Sequence, residues 1–469
     1  MEMEQGINGD GGRRAEAGLP KGGQRIMSNE AEDGRAGERL AKADPQAGDP
    51  HEHIDDVGHG AVEAADDDGD REEILKILED PGLAEVHMSR ILQASSRREQ
   101  LSKRDLRMAS MCDSLCLRHQ VPDDVIQAHC VPPDPGFDAV VEWDEMAAQL
   151  ALAFDRFPNV RSLALRGVAE SSLLPFISAL PPAPLILNSH SRHFARRLTS
   201  LSLHRFVRAG DDLIQRLATA CPSLTRISLT SLYAPALTDD ALFDIASSCP
   251  RLACFELDMS DSVTDVGIAT LLHRCRSISE LTIARVPLFC GCALRYGGEA
   301  LTKLALSYCD SLDLQELHES LQKAPQVAAN LRGLSISDYP GCSHELALFP
   351  TMLELCTRLE ELRLNNFDLL DNDAEQMQKM GRACPRLRVL EMRECDQVEL
   401  QGWRALARSL PMLEHLDVTG SPYFCEESLI AVLRGCPTLR SITLSRNFPH
   451  AAALDSFKCF RSNVQIRLD

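Results

Sequence analysis

CPSLTRISLTSLYAPALTDDALFDIASSCPRLACFELDMSDSVTDVGIATLLHRC, residues 221–275, carries one pattern twice. CPSLTRISL begins at Cys221 and CPRLACFEL at Cys249. Counted from the first leucine of each, apolar residues fall at 0, +3 and +5. The last two therefore share one face of a short strand, and +2 and +4 look the other way. Thr238-Asp239 and Thr264-Asp265 follow, each offering a helix N-cap. Leu242, Ile245, Ala246 and Cys249 then recur at helical spacing, as do Ile268, Leu271, Leu272 and Cys275. The unit reads strand, turn, helix, return.

The same unit extends in both directions. CTRLEELRL at Cys356, CPRLRVLEM at Cys384 and CPTLRSITL at Cys436 are strong copies. Weaker ones start at Phe157, Ala195, Cys275, Gly298, Ala328 and Leu410. The anchors are Val160, Leu198, Leu224, Leu252, Ile278, Leu301, Leu331, Leu359, Leu387, Leu413 and Leu439, with successive steps of 38, 26, 28, 26, 23, 30, 28, 28, 26 and 26. A lone unit leaves its apolar faces uncovered, so stacked units form a solenoid with parallel strands inside and helices outside.

The pattern resembles the leucine-rich repeat family in its cysteine-containing subtype: Cys, two residues, Leu, two residues, Leu-x-Leu, then Cys or Asn and Ile-Thr-Asp. Six copies keep the leading Cys (Cys221, Cys249, Cys275, Cys356, Cys384, Cys436), and Cys309 and Cys395 match the second family cysteine. The resemblance covers roughly residues 143–469. It implies an α/β fold: a right-handed leucine-rich-repeat solenoid, or horseshoe, of about eleven βα repeats. Two steps depart from the pattern. The 38-residue step contains Pro181, Pro182 and Pro184, and the 23-residue step, VPLFCGCALRYGG, has no obvious helix.

The rest of the chain differs in kind. The first aromatic among 469 residues is Phe137, and residues 1–70 hold 18 Asp and Glu against 7 Lys and Arg, with 13 of the 27 glycines. Such a segment cannot bury enough apolar surface to offset its backbone entropy, so a disordered acidic tail is expected over 1–70. A small helical module over 71–135 and the solenoid over 138–469 complete the expected organisation. The most apolar stretch, LLPFISALPPAPLIL, is broken by four prolines, so no membrane span is expected. Acidic residues at positions 2 and 4 argue against a signal peptide. With 17 cysteines, an odd number, and no secretion signal, reduced thiols and a cytoplasmic or nuclear location are expected. A net charge of −20 argues against nucleic acid as a partner.

The cysteines invite a metal or redox reading, but packing explains them better. Their slot is filled elsewhere by Phe157, Ala195, Gly298, Ala328 and Leu410, none of which ligates a metal. Cys290-Gly-Cys292 and Cys112-x-x-x-Cys116 lack a partner pair at zinc-site spacing. No phosphate-binding loop, dinucleotide fingerprint, nucleophile elbow or H-E-x-x-H helix occurs. Neither enzyme activity nor a cofactor or metal is expected.

In the stacked units, +2 and +4 line the concave face. Early strands offer small and hydroxylic residues, and charge gathers at Glu361, Arg363, Glu391, His415 and Asp417. These five are the candidate partner-binding residues, on a wall of roughly 50 Å if strands lie ~4.8 Å apart. Mixed charge without a basic stripe fits a protein partner.

Residues 82–120, GLAEVHMSRILQASSRREQLSKRDLRMASMCDSLCLRHQ, show helical spacing through Leu101, Leu106, Met108, Ala109, Cys112, Leu115 and Cys116, with Ser102 or Asp105 as cap. The order Ile91-Leu92, Asp105-Leu106 and Ala109-Ser110-Met111-Cys112 is similar to that of an F-box, the helical module that docks on the adaptor of cullin-based ubiquitin ligases. The family's Leu-Pro is absent, the gap from Ile91 to Asp105 is long, and Leu115 stands where Trp is common. The resemblance implies adaptor docking through Leu92, Leu106 and Cys112, with the solenoid holding a protein substrate for ubiquitin-dependent degradation. The alternatives are a helical cap shielding the first repeat, and a leucine-rich scaffold or regulator with no ubiquitin link.

Overall fold

The computed structural model describes residues 68–80, 83–84, 87–88, 90–91, 101–112, 114–118, 159–166, 195–205, 210–232, 237–339, 348–367, 374–448 and 463–469. Those up to 67, and with them nearly all of the segment read as a tail, lie outside the described residues. The described part belongs to one compact unit, Asp66–Asp469.

Its spine is a parallel sheet of thirteen strands in sequence order. The strands are β1 (Ser114–Arg118), β2 (Ser162–Arg166), β3 (Ser200–His204), β4 (Arg226–Thr230), β5 (Cys254–Asp258), β6 (Glu280–Ala284), β7 (Lys303–Ser307), β8 (Gly333–Tyr339), β9 (Glu361–Phe367), β10 (Val389–Glu391), β11 (His415–Asp417), β12 (Ser441–Leu444) and β13 (Gln465–Leu468). Register follows the repeat. Ile227 pairs with Phe255, Phe255 with Leu281 and Leu281 with Leu304, each at +3. All eleven anchors are at most 1% exposed, and every +3 and +5 residue is buried. The +2 and +4 residues are at least partly exposed, apart from Gly333 and Asp417. Alternation with period two thus separates a core face from an open face from β2 to β12.

Helices cover the core face. Two precede the sheet, α1 (Asp68–Glu79) and α2 (Lys103–Met111). The outer layer consists of α3 (Asp211–Ala220), α4 (Asp239–Ser248), α5 (Asp265–Arg274), α6 (Leu314–Lys323), α7 (Pro325–Asn330), α8 (Leu348–Leu355), α9 (Ala374–Ala383), α10 (Leu400–Ser409) and α11 (Glu426–Gly435). The 30-residue step accommodates both α6 and α7. The 23-residue step holds a single 3-10 turn, Cys292–Tyr296, entered through Gly291 at φ 97.

A ladder of Thr-Asp pairs ties helix to helix. Thr238 Oγ1 accepts from Asp240 N–H, and Thr264 Oγ1 from Val266 N–H, capping α4 and α5. Each threonine is held in turn by the aspartate of the preceding helix. Thr238 donates its N–H and hydroxyl to Asp211 at 3.0 and 2.6 Å, and Thr264 donates the same groups to Asp239 at 2.8 and 2.7 Å. Gly267 leaves room for this arrangement, because a Cβ there would stand 2.4 Å from Asp239 Oδ1.

A second regularity marks the strand exits. Seven residues after the anchor, Arg205, Ser231, Met259, Arg285, Tyr308, Asp338, Asn366 and Glu394 all have φ between 44 and 62, and Gly420 follows at 77. This conformation costs a non-glycine residue about 1–2 kcal/mol. In return the N–H reaches the next repeat, as in Met259 to Ala284 O at 3.0 Å and Arg285 to Ser307 O at 2.9 Å.

One expectation is overturned. Leu115 and Cys116, read as helical, belong to β1, which pairs in register with β2. Cys112 then sits two residues before the strand, the anchor slot of a further repeat, and is buried like the other anchors.

Candidate functional site

The register brings the five predicted residues onto three neighbouring strands. Val389 pairs with Glu361 and His415, and Glu391 pairs with Arg363 and Asp417. Their charges interlock. Arg363 donates from Nε to Glu391 at 2.9 Å and lies 3.0 Å from Glu361, which makes a two-acid, one-base cluster across β9 and β10. His415 Nδ1 lies 2.7 Å from Ser441 Oγ on β12. Asp417 departs from the expectation of an open contact residue. It is buried, accepts from Arg393 Nε and Nη2 at 3.0 and 2.7 Å, and takes the Thr419 N–H and hydroxyl as well. Its role is to fasten the strand exit, and the sequence reading missed Arg393, which lies beyond the end of β10.

A parallel row at +1 flanks the cluster. Arg388 and Arg440 clasp Glu414 at 2.6 and 3.0 Å, and the Arg388 hydrogen bond holds the Glu414 carboxyl below the usual carboxylate range. Towards the front of the sheet the open face softens: Ser228 donates to Glu256 at 2.7 Å, and Lys303 stands 3.7 Å from Glu280. Exposed pairs of this kind contribute little stability. They leave polar groups able to exchange a neighbour for a partner's side chain.

The repeat cysteines pack. Cys221, Cys249, Cys275, Cys356, Cys384 and Cys436 are at most 1% exposed. Burial pushes the thiols of Cys221, Cys249, Cys356 and Cys384 up to about 12, far from the thiolate needed for nucleophilic or ligand chemistry. Several thiols point at carbonyls of the preceding repeat, as Cys275 does at Cys249 O, 3.4 Å away. Cys290 and Cys292, which lacked a partner in sequence, meet Asp265, with donor atoms within 4.8 Å of one another. The carboxylate is already engaged there. It accepts from Cys290 N–H at 2.6 Å and Ala293 N–H at 2.8 Å, continuing the ladder that runs through Asp211 and Asp239. Burial also pushes the Cys290 thiol up to about 12.

Ahead of the sheet, α2 carries a full capping box. Ser102 Oγ accepts from Asp105 N–H at 3.0 Å, and the Asp105 carboxylate accepts from Ser102 N–H at 3.3 Å. Burial opposes the Asp105 charge, but the Ser102 hydroxyl and the Arg90 guanidinium outweigh it and hold the carboxyl below its ordinary value. Of the three predicted docking residues, Leu106 is 48% exposed on α2, while Cys112 is 2% exposed and donates its thiol to Ser114 O. Cys112 therefore serves the core and presents no docking surface. Leu92 lies outside the described residues.

No family model matches the chain. It is 25% identical over 269 residues to F-box protein MAX2 homolog A of Petunia hybrida, spanning 55% of this chain and 35% of that protein. To the F-box/LRR-repeat MAX2 homolog of Oryza sativa subsp. japonica it is 26% identical over 215 residues, 43% of this chain and 26% of that one. To F-box protein SKIP1 of Arabidopsis thaliana it is 25% identical over 193 residues, 41% and 51% of the two chains. The chain is a leucine-rich-repeat protein resembling F-box/LRR-repeat proteins. It spans about a third of the length of the first relatives it matches. Among solved structures, the crystal structure of the Rad7 and Elc1 complex in yeast aligns over 85% of this leucine-rich-repeat chain and 92% of that one, at TM-score 0.48 and 14% identity. No helix among the described residues is long and apolar enough to cross a membrane.

Proposed function

We propose that this protein is the substrate-recognition subunit of an SCF-type cullin–RING ubiquitin ligase, working in the cytoplasm or nucleus. The region 82–120 docks the ligase adaptor through Leu106, with Leu92 as a second contact, and the open strand face holds the protein to be ubiquitinated. The subunit itself carries out no chemistry. It raises the effective concentration of its target beside the ubiquitin-conjugating enzyme. The observation that supports this reading best is a leucine with half its surface in water on a fully capped helix immediately ahead of the repeat sheet, in a chain whose relatives are named as F-box proteins. On the open face, Glu361, Arg363, Glu391 and His415 form the contact patch, in which the Arg363 pairs open to admit charged groups of the target.

The rival reading, a leucine-rich scaffold with a helical cap, draws on the short path from α2 through Cys112 into β1. Co-precipitation of the full chain with the ligase adaptor separates the two. The receptor reading expects adaptor retention that falls about tenfold or more on Leu106→Glu, a surface change that leaves the melting temperature in place. Partner binding by the repeats with no adaptor retained from wild-type protein would establish the scaffold instead.

A further inference from the structure

Among the described residues, the repeat anchored at Ile278 supplies no α-helix to the outer layer. α3, α4 and α5 succeed one another at steps of 26–28 residues, whereas the step from Ile278 to Leu301 is 23 residues and supplies only the turn Cys292–Tyr296. A groove of about 610 Å³ opens beside that turn. Three large apolar side chains converge on it: Phe243 from α4 is 47% exposed, Val266 from α5 is 68% exposed, and Tyr296 from the turn is 46% exposed. Single exposed apolar residues are ordinary, but three lining one concavity are not.

The rim is basic although the chain carries a net charge of −20. His273, Arg274 and Arg295 line it. The Arg274 guanidinium lies 4.5 Å over the Phe243 ring and donates to Ser247 Oγ at 2.8 Å, which holds the cation at the groove's edge. Arg295 is set by its Nε bond to Cys292 O at 2.7 Å and has Glu316 3.7 Å away. Asp265, the carboxylate that lines the groove, is buried and engaged by two backbone N–H groups.

We propose that this groove is a second docking site, on the helix side of the sheet, and that its occupant is an acidic amphipathic helix of a partner protein. Such a helix completes the outer layer where the fifth repeat supplies none. Its apolar residues at i, i+4 and i+7 meet Val266, Phe243 and Tyr296, and its carboxylates meet Arg274 and Arg295. The site is independent of the strand face and of any link to ubiquitin.

A display library of helix-favouring peptides of about 15 residues tests this, with Leu fixed at i, i+4 and i+7 and the other positions drawn from Glu, Lys, Gln and Ala. Selection on the full chain is expected to enrich Glu over Lys. An enriched peptide should bind about tenfold or more weakly to Val266→Glu, and an Arg274→Glu/Arg295→Glu variant should shift the enrichment towards Lys. No enrichment, enrichment of Lys on the wild type, or binding indifferent to both variants overturns the proposal. A concentration-dependent dimer abolished by Val266→Glu would also overturn it, by assigning the groove to a second copy. Val266 lies largely in water, so the change should spare the fold. If it does not, Val266→Ser carries the same comparison.

Discussion

The repeat anchored at Leu252 and the one anchored at Ile278 share a sheet and differ in what covers it. The first has a five-residue strand followed by the ten-residue helix α5, with Thr264 as its cap. The second has an equally long strand followed by a 3-10 turn. Yet β5, β6 and β7 remain in register, and Leu257 and Ile283 are equally buried. The aspartate ladder persists too. Asp239 grips a threonine, while Asp265 finds two bare backbone N–H groups where the threonine is missing. The strand layer therefore tolerates loss of a helix provided each aspartate still finds donors in the following repeat. The outer layer is the part of the architecture free to vary.

The comparison can be broken most forcefully in the core. Leu257→Ala and Ile283→Ala should each cost about 2–5 kcal/mol in urea unfolding. If the strand layer is autonomous, the two losses should agree; a much smaller loss at Ile283 would show that the helix-poor repeat is packed loosely. At the next level, Asp265→Ala leaves two N–H groups without their acceptor and should cost about 1–3 kcal/mol, lowering the thermal midpoint. Little or no change would remove the carboxylate from the ladder. The smallest effects sharpen the contrast. Thr264→Ala removes a hydroxyl cap and should cost about 0.5–2 kcal/mol, whereas Cys290→Ala keeps the N–H that Asp265 uses and should stay within about 0.5 kcal/mol. Equal costs at the two positions would mean that the thiol shares in the cap.

Most of this architecture was legible because the repeat repeats. An apolar triad at 0, +3 and +5 recurring every 26–28 residues fixes strand, register and core together, and the anchors Leu224, Leu252 and Leu387 occupy equivalent buried places. β1 was missed for a physical reason. Five residues between a buried cysteine and a distant second strand satisfy helical spacing as readily as alternation, and only pairing with Ser162–Arg166 decides between them. β13 was missed because its pattern, Gln465-Ile466-Arg467-Leu468, follows no apolar anchor: Asn463 stands in that slot. At the candidate site, the grouping of Glu361, Arg363 and Glu391 follows from the alignment of +2 and +4 rows. The withdrawal of Asp417 and Cys112 does not. Asp417 is claimed by an arginine past a strand end, and Cys112 by an anchor slot that is visible only once β1 is known. Likewise, the acceptor role of Asp265 has backbone N–H groups as its target, and these leave no trace in the order of side chains.

The left-handed residues at the strand exits carry one more implication. Arg, Ser, Met, Tyr, Asn and Glu all occupy the same backbone state at successive exits, each donating its N–H to a carbonyl of the next repeat, while Gly420 donates to the Ser445 hydroxyl. Side-chain identity at these positions is thereby uncoupled from the path of the chain. The exits act as a rack of interchangeable fittings at fixed pitch, where what the molecule displays can be rewritten one letter at a time while the frame beneath stays put.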